Sequence, residues 1–140
     1  MPNSGADAHP RLVLDTSAYS HFRHGHAAVL DLVAAAGMVM LPVTVLGELE
    51  AAFTLGSRSK ENRAALRQFL DEPFVQPLHV TPAVARRYGL TFAQLRRAGT
   101  PIPVNDIWIA ATTLDCGGHL LTFDADFRRV EGLDCTVLRS

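Results

Sequence analysis

The sequence predicts an α/β fold, in which helices cover both faces of a five-stranded parallel sheet in a three-layer α/β/α arrangement. Short apolar runs alternate with longer helical patterns along the whole chain. The apolar runs are continuous and do not alternate with polar residues, which is typical of strands that are buried on both faces. At 140 residues, 48% of them hydrophobic, the chain has the size of one domain with one core. We therefore expect a flexible leader over residues 1–10 and a single domain over residues 11–140.

The first half of the chain contains two predicted strands, and each is followed by helices. Residues 12–14 are a continuous apolar run that ends abruptly at Asp15. Residues 38–41 form the second apolar run, and apolar residues then recur at helical spacing between residues 43 and 55. The helices predicted in this half span residues 16–23, 27–36, 43–55 and 63–70.

The second half repeats the alternation and adds three strands and two helices. A threonine-proline pair at residues 81–82 is typical of a helix N-terminus, and it opens a helical stretch through residue 98 that we expect Gly89 to break. The most apolar helix is predicted at residues 107–114, which places Asp106 at its beginning. The strands predicted in this half lie at residues 75–80, 119–123 and 134–138.

Composition and spacing argue against several classes of protein. The formal net charge of -1 argues against a surface that binds nucleic acid throughout, so a polyanion partner would need a specific site. Cys116 and Cys135 lack the spacing of metal or redox motifs, and we expect reduced, apolar cysteines. His21, His24 and His26 are expected in a solvated loop and not in a zinc site, since their spacing does not put all the imidazoles on one helix face. Because no apolar run reaches the length of a membrane span and the start resembles no signal sequence, we expect a cytoplasmic protein without a membrane segment.

Four acidic residues occupy chain positions that a parallel sheet brings to one edge. Asp15 and Asp124 follow strands, and Glu48 and Asp106 lie in the first turns of helices that follow strand-loop units. Each acid alone is explained by a helix cap or by the helix dipole. Together they would be unfavourable without a proton or a cation, because two like charges about 4 Å apart repel by about 4 kcal/mol near a protein surface. Oxygen ligands without cysteine or histidine favour Mg²⁺ or Mn²⁺ over zinc.

Four short motifs, in this order and at this spacing, resemble those of PIN-domain ribonucleases, and within that family those of the VapC-type toxins of toxin-antitoxin pairs. The resemblance covers nearly the whole chain. Any one motif is a weak signal, but four together are specific. The motifs are Leu14-Asp15-Thr16-Ser17, Gly47-Glu48-Leu49, residues 105–111 (Asn-Asp-Ile-Trp-Ile-Ala-Ala) and residues 121–127 (Leu-Thr-Phe-Asp-Ala-Asp-Phe).

The resemblance implies an acidic metal site and indicates its residues. Asp15, Glu48, Asp106 and Asp124 would hold Mg²⁺ or Mn²⁺, with Asp15 and Asp106 as the direct ligands. Polar residues around them would support the site. These are Thr16, Ser17 and Thr122, together with Asp126 as an alternative or auxiliary fourth acid.

The resemblance also implies an activity and partners. The expected activity is metal-dependent cleavage of single-stranded RNA that leaves a 5′-phosphate. The expected partners are the RNA substrate, a cognate antitoxin protein and a second copy of the chain in a homodimer. Four arginines, at positions 86, 87, 96 and 97, either contact RNA phosphates or form a solvated helix face.

Two other classes of function remain open from the residues alone. A haloacid dehalogenase-like phosphatase would use Asp15 as a nucleophile, but such enzymes usually carry a second Asp two residues later, where this chain has Ser17. That phosphatase and a phospho-receiver domain both need a lysine, and Lys60, in a polar turn, is the only lysine in this chain. A non-catalytic PIN-like binding module, whose acids only cap helices, is the other alternative. Stabilisation by Mn²⁺ that depends on Asp106 would favour the nuclease.

Overall fold

The computed structural model describes residues 9–140, which form five strands and six α-helices. The strands are β1 (Arg11–Leu14), β2 (Met38–Pro42), β3 (Val75–Leu78), β4 (His119–Thr122) and β5 (Cys135–Val137). The α-helices are α1 (Thr16–Arg23), α2 (Ala27–Ala35), α3 (Val43–Leu55), α4 (Ser59–Leu70), α5 (Pro82–Ala98) and α6 (Val104–Cys116), and a short 3-10 helix (Ala125–Arg129) follows β4. Most of the leader expected over residues 1–10 lies outside the described residues. Between residues 9 and 140, no helix combines the length and the apolar character needed to cross a membrane.

The five strands form one parallel sheet in the order β3-β2-β1-β4-β5, which confirms the predicted fold class. In the register of the sheet, Leu12 of β1 lies beside Val39 of β2, and Val13 lies beside Leu120 of β4. The chain builds the sheet outward from β1 to β3 and then returns to the other side of β1. The order therefore reverses between β1 and β4, and in such sheets ligands bind beyond the carboxyl ends of the strands at this switch point.

The central strands are buried on both faces. Leu12, Val13 and Leu14 of β1 are 0% exposed, as are Leu120 and Leu121 of β4. Successive side chains of a strand point to opposite faces of the sheet, so both faces of β1 and β4 are covered. This burial explains why the strands read as continuous apolar runs, and it agrees with the predicted three layers.

Gly89 does not break a helix, so that prediction was wrong. α5 continues through this residue without interruption. An interior glycine costs a helix only about 1 kcal/mol relative to alanine. Both ends of α5 are well capped, because Thr81 accepts a hydrogen bond from the backbone N–H of Val84 and Gly99 is left-handed with φ 71°.

α6 begins at Val104, earlier than the predicted residue 107. The N-cap position belongs to Pro103, and no side chain makes a capping hydrogen bond there. Asp106 therefore lies inside the first turn and does not cap the helix. This placement removes the cap as an explanation for that aspartate and leaves its carboxyl group available to the edge of the sheet.

Candidate active site

Asp15 lies at the end of β1, where it is both buried and the N-cap of α1. Its Oδ1 accepts hydrogen bonds from the backbone N–H of Ala18 and from the hydroxyl of Ser17, both at 2.8 Å. Its Oδ2 accepts a hydrogen bond from the hydroxyl of Thr122 at 2.5 Å. Burial raises the pKa of Asp15, these hydrogen bonds partly offset that effect, and the charge of Asp124 raises the pKa further. Three donors thus fix the orientation of a carboxyl group at the switch point.

The hydroxyl groups around Asp15 also connect β1 to the segment that follows β4. The hydroxyl of Ser17 accepts a hydrogen bond from the backbone N–H of Phe123 at 3.1 Å. The hydroxyl of Thr122 accepts one from the backbone N–H of Asp124 at 3.0 Å. Ser17 and Thr122, two of the expected supporting residues, therefore contact Asp15 and also bind the backbone of the segment that follows β4.

Glu48 lies in α3 and links two other helices to the same edge. Its Oε1 accepts a hydrogen bond from the hydroxyl of Thr16 at 2.5 Å, and its Oε2 accepts one from the side-chain amide of Asn105 at 3.3 Å. Glu50, two residues on, instead forms an exposed ion pair with Arg63 at 2.6 Å. The contact of Asn105 with Glu48 could not be predicted from the sequence, where Asn105 stands out only as part of a motif.

Asp106, in the first turn of α6, is half-buried and close to the other acids. Its pKa is raised to about 6, first by burial and then by the charges of Asp124, Glu48, Asp15 and Asp126. The first turn of a helix normally favours a negative charge, so burial and repulsion outweigh the helix dipole here. The predicted carboxylates are therefore close enough to repel one another.

Asp124 and Asp126 differ in their surroundings. Among the carboxylates, Asp124 has the largest effect on the pKa of Asp106 and Asp126 has the smallest. Asp124 caps the 3-10 helix through a hydrogen bond from the backbone N–H of Asp126 to its Oδ1 at 2.9 Å. Asp126 lies 3.4 Å from the guanidinium group of Arg129, which partly neutralises it. These contacts favour Asp124 as the fourth acid of the site.

The donor set fits a hard divalent cation, although it is not a closed cage. Within residues 9–140, no three side chains of His, Cys, Asp or Glu converge closely enough to hold a metal ion as they stand. Mg²⁺ is usually held by one or two carboxylates, with waters and substrate phosphates as further ligands. Oδ1 of Asp15 accepts two hydrogen bonds, whereas Oδ2 accepts one and keeps a second lone pair for a cation. Every cause acting on Asp106 disfavours its charge. A cation would relieve that repulsion.

His21 takes part in packing beside the acids. Its Nδ1 lies 2.8 Å from the carbonyl oxygen of Ser17, and since a carbonyl only accepts, Nδ1 is the donor. The ring of His21 stacks on Phe123 with 3.7 Å between centroids, and His26 contacts the same phenyl ring edge-on. His21 thus lies in α1 and, like His26, is partly buried against Phe123, so these two residues do not lie in the predicted solvated loop.

Fold and site together define a class of protein: a doubly wound α/β domain with clustered carboxyl groups at the switch point of its sheet. The family model of the PIN domain matches residues 12–133. Ribonuclease VapC4 of Mycobacterium tuberculosis is 33% identical over 96 residues, which are 69% of this chain and 74% of that protein. The chain therefore belongs to the PIN-domain family, among its VapC members.

Solved structures show the same fold. VapBC2 from Rickettsia felis, bound to a DNA fragment from the promoter of the pair, matches with a TM-score of 0.79 and 20% identity over 91% of this chain and 98% of that one. VapBC-5 from Mycobacterium tuberculosis, a member of the VapBC family of toxin-antitoxin systems, matches with a TM-score of 0.71 and 25% identity over 94% of this chain and 99% of that one. Both similarities extend over nearly the full length of the domain.

Proposed function

We propose that this protein is a metal-dependent endoribonuclease that hydrolyses phosphodiester bonds of single-stranded RNA and is the toxin of a toxin-antitoxin pair. The observation that supports this most strongly is the set of mutually repelling carboxyl groups, Asp15, Glu48, Asp106 and Asp124, at the switch point of a PIN domain. The ribonuclease name of the VapC4 relative supports the reaction. We assign the activity to residues 11–140 as one nuclease domain, acting on RNA in the cytoplasm.

Mg²⁺ or Mn²⁺ is the cofactor that we propose, with Asp15 and Asp106 as direct ligands. Glu48 and Asp124 would place a second cation or orient the attacking water. When bound, such a cation lowers the pKa of water and neutralises the charge that grows on the phosphoryl oxygens. Asp106 has a pKa of about 6 without a bound cation and must be deprotonated to act as a ligand, so metal affinity should rise with pH through this range.

The surrounding side chains have positioning roles in this proposal. Ser17 and Thr122 hold the two oxygens of Asp15, so its carboxyl group cannot rotate freely. Thr16 and Asn105 hold the two oxygens of Glu48 in the same way. Groups that hold metal-binding carboxylates typically affect metal affinity or activity by about 10-fold to 100-fold when they are replaced.

A phosphatase that uses Asp15 as a nucleophile is less well supported. Both oxygens of this buried carboxyl group accept hydrogen bonds, and one of the donors is Ser17, at the position where such phosphatases carry a second Asp. A non-catalytic module explains Asp15 and Asp124, which do cap helices. It does not explain Asp106, which caps nothing and is repelled by its neighbours.

The test is cleavage of a labelled single-stranded RNA by the purified protein with Mg²⁺, with Mn²⁺ and with excess chelator. We expect cleavage only with metal, and we expect Asp106→Asn to slow it by about 100-fold or more, as the loss of an electrostatic group from an active site does. Asp134→Asn is the matched control, since it removes one carboxylate at the amino end of the strands, away from the acids. Its cleavage rate should stay within about twofold of the natural protein. Cleavage that persists in chelator, or at full rate in Asp106→Asn, would contradict the proposal.

We further propose that the protein is a homodimer with a cognate antitoxin. The structural neighbours are named as VapBC toxin-antitoxin proteins, which supports a partner of this kind. Co-expression with the product of the adjacent gene, followed by purification and light scattering, tests both points. We expect a stable complex that does not cleave RNA, whereas two proteins that elute separately would contradict the assignment of that partner.

A further inference from the structure

α5 concentrates positive charge in a chain whose formal net charge is -1. The helix carries four arginines and no acidic residue, and all four arginines are exposed. None of the ion pairs formed within residues 9–140 includes them. The helix therefore presents unpaired charge that complements a polyanion. The arginines are Arg86, Arg87, Arg96 and Arg97.

On the face of α5 that carries Arg96, aromatic rings form a continuous row. Tyr88, Phe92 and Arg96 follow one another at intervals of four residues, so they lie on one face of α5. The ring of Trp108, on α6, stacks on Tyr88 with 4.0 Å between centroids, and Tyr88 lies 6.1 Å from Phe92. The guanidinium group of Arg96 lies 5.9 Å from the centroid of Phe92, which is 39% exposed. We call these four residues the stacking strip.

The stacking strip begins close to the acidic site. Trp108 follows Asn105 by three residues on α6, so the two side chains are neighbours on the helix surface, and Asn105 contacts Glu48. The other side of α5 is held in place by Gln94, whose side-chain amide donates a hydrogen bond to the carbonyl oxygen of Arg129 at 3.2 Å. The helix is therefore fixed against the 3-10 segment that follows Asp124. The strip has a defined position one helical turn away from the contact with Glu48.

We propose, on the basis of the nuclease function proposed above, that the stacking strip binds single-stranded RNA next to the cleavage site. The exposed ring of Phe92 would stack on an unpaired base, and Arg96 would contact the adjoining phosphate. Aromatic rings and arginine planes bind single strands in this way without regard to sequence, because every base has a π face. Bases inside a duplex are not available for such stacking, so duplex RNA should bind more weakly.

The charges of α5 favour RNA over a second copy of the chain as the occupant. A two-fold contact between copies places the same surface on both sides. Two α5 helices in such a contact would bring like arginine charges together, which costs free energy. RNA bound to the stacking strip instead gains from the charge of Arg96.

Binding of a short, fluorescently labelled single-stranded RNA, measured by anisotropy in excess chelator, tests the strip without cleavage. We expect Phe92→Ala to weaken binding by about fivefold or more, as the loss of one base stack does. Arg96→Gln should lower the slope of log affinity against log salt by about 0.7, the value for one phosphate of a single strand. Leu90→Ala, an apolar truncation at a more exposed position of the same helix, and Arg67→Gln, a charge loss on α4, are the matched controls.

The proposal would be overturned if Phe92→Ala and Leu90→Ala bound the RNA with equal affinity and Arg96→Gln left the salt slope unchanged. A loss of dimer mass in Phe92→Ala at unchanged RNA affinity would also overturn it, in favour of an interface between copies. Thermal unfolding of each variant verifies that it is folded, and Arg96→Gln changes an exposed side chain that leaves the core intact. Cleavage with Mn²⁺ is measured separately. We expect Phe92→Ala and Arg96→Gln to raise KM and to retain kcat. If the protein does not cleave RNA but the variants show these binding effects, only the proposed nuclease function is contradicted, and the proposed RNA binding by the stacking strip stands.

Discussion

The two ends of the central strands contain polar groups arranged in opposite ways. At the amino end, His119 begins β4, and its Nε2 lies 2.7 Å from the hydroxyl of Thr136. Its Nδ1 lies 2.9 Å from a carboxylate oxygen of Asp134, at an angle too poor for a hydrogen bond, and its ring stacks on His9 at 3.7 Å. The neighbours of this imidazole therefore include a hydroxyl group and a single carboxylate. The amino end thus places its carboxylate beside a basic ring.

At the carboxyl end, the neighbours are of like charge. Asp106 is repelled by the other carboxylates, and the pKa of Asp15 is raised by burial and by the charge of Asp124. A fold gains nothing from such repulsion. Clusters of this kind occur where a ligand neutralises them, so we propose that the carboxyl end is the functional one.

The largest stability effect should come from the hydroxyl group that supports the buried acid. Thr122→Val removes the donor to Oδ2 of Asp15, where both residues are buried, and should lower the free energy of unfolding by about 1–3 kcal/mol. Thr136→Val, at the amino end, removes the partly exposed partner of His119, which water can replace, and should cost about 0.5–1 kcal/mol. Urea unfolding of both variants measures the difference. Equal losses of unfolding free energy in the two variants would contradict this expectation, because burial of Asp15 would then have no effect on the cost.

A comparison within the carboxyl end should identify the fourth acid. Asp124→Asn removes the carboxylate with the greatest effect on Asp106 and should weaken Mn²⁺ binding by about tenfold. Asp126→Asn removes a carboxylate that Arg129 already partly neutralises and should change the affinity by about twofold or less. Calorimetric titration with Mn²⁺ measures both affinities. The reverse order would assign the role to Asp126.

A smaller effect should appear in the pH dependence of stability without metal. Since the pKa of Asp106 is about 6 in the folded chain and 3.8 in the reference state, the folded state binds the proton more tightly between these values. Stability from this group is therefore fully present below about pH 4 and lost as the pH rises through 6. Asp106→Asn should be more stable than the natural protein at pH 7 by about 1 kcal/mol, a value reduced for the exposure of the group. Chemical unfolding at pH 5 and pH 7 in chelator checks the sign, and a less stable variant at pH 7 would contradict it.

The sequence was sufficient to predict the sheet and the proximity of the acids, for a physical reason. Continuous apolar runs mark strands that are buried on both faces, and parallel strands bring their carboxyl ends to one edge. Asp15 and Asp124 follow such runs directly, so their proximity needs only the strand order. The start of α6 was predicted less well. The helix begins directly after Pro103, at Val104, whereas the predicted helix began at residue 107.

Contacts between helices could not be predicted in the same way. Helical periodicity shows which face of a helix is apolar, but not which residue of another helix meets it. The stack of Tyr88 on Trp108 and the hydrogen bond of Asn105 to Glu48 both depend on how two helices pack. The continuity of α5 through Gly89 likewise depends on capped ends and on packing against α6 and not on local propensity alone.

The most direct test of a shared metal site is thermal unfolding with and without Mn²⁺, because a cation shared by the carboxyl groups stabilises only the folded chain. At about 100 times the dissociation constant, binding adds about 2.7 kcal/mol, which for a domain of this size is a rise in Tm of roughly 8 °C. We expect this rise for the natural protein and for Asp134→Asn, and a much smaller one for Asp106→Asn. An equal rise in Asp106→Asn, or no rise in the natural protein, would contradict the claim that these acids share a divalent ion.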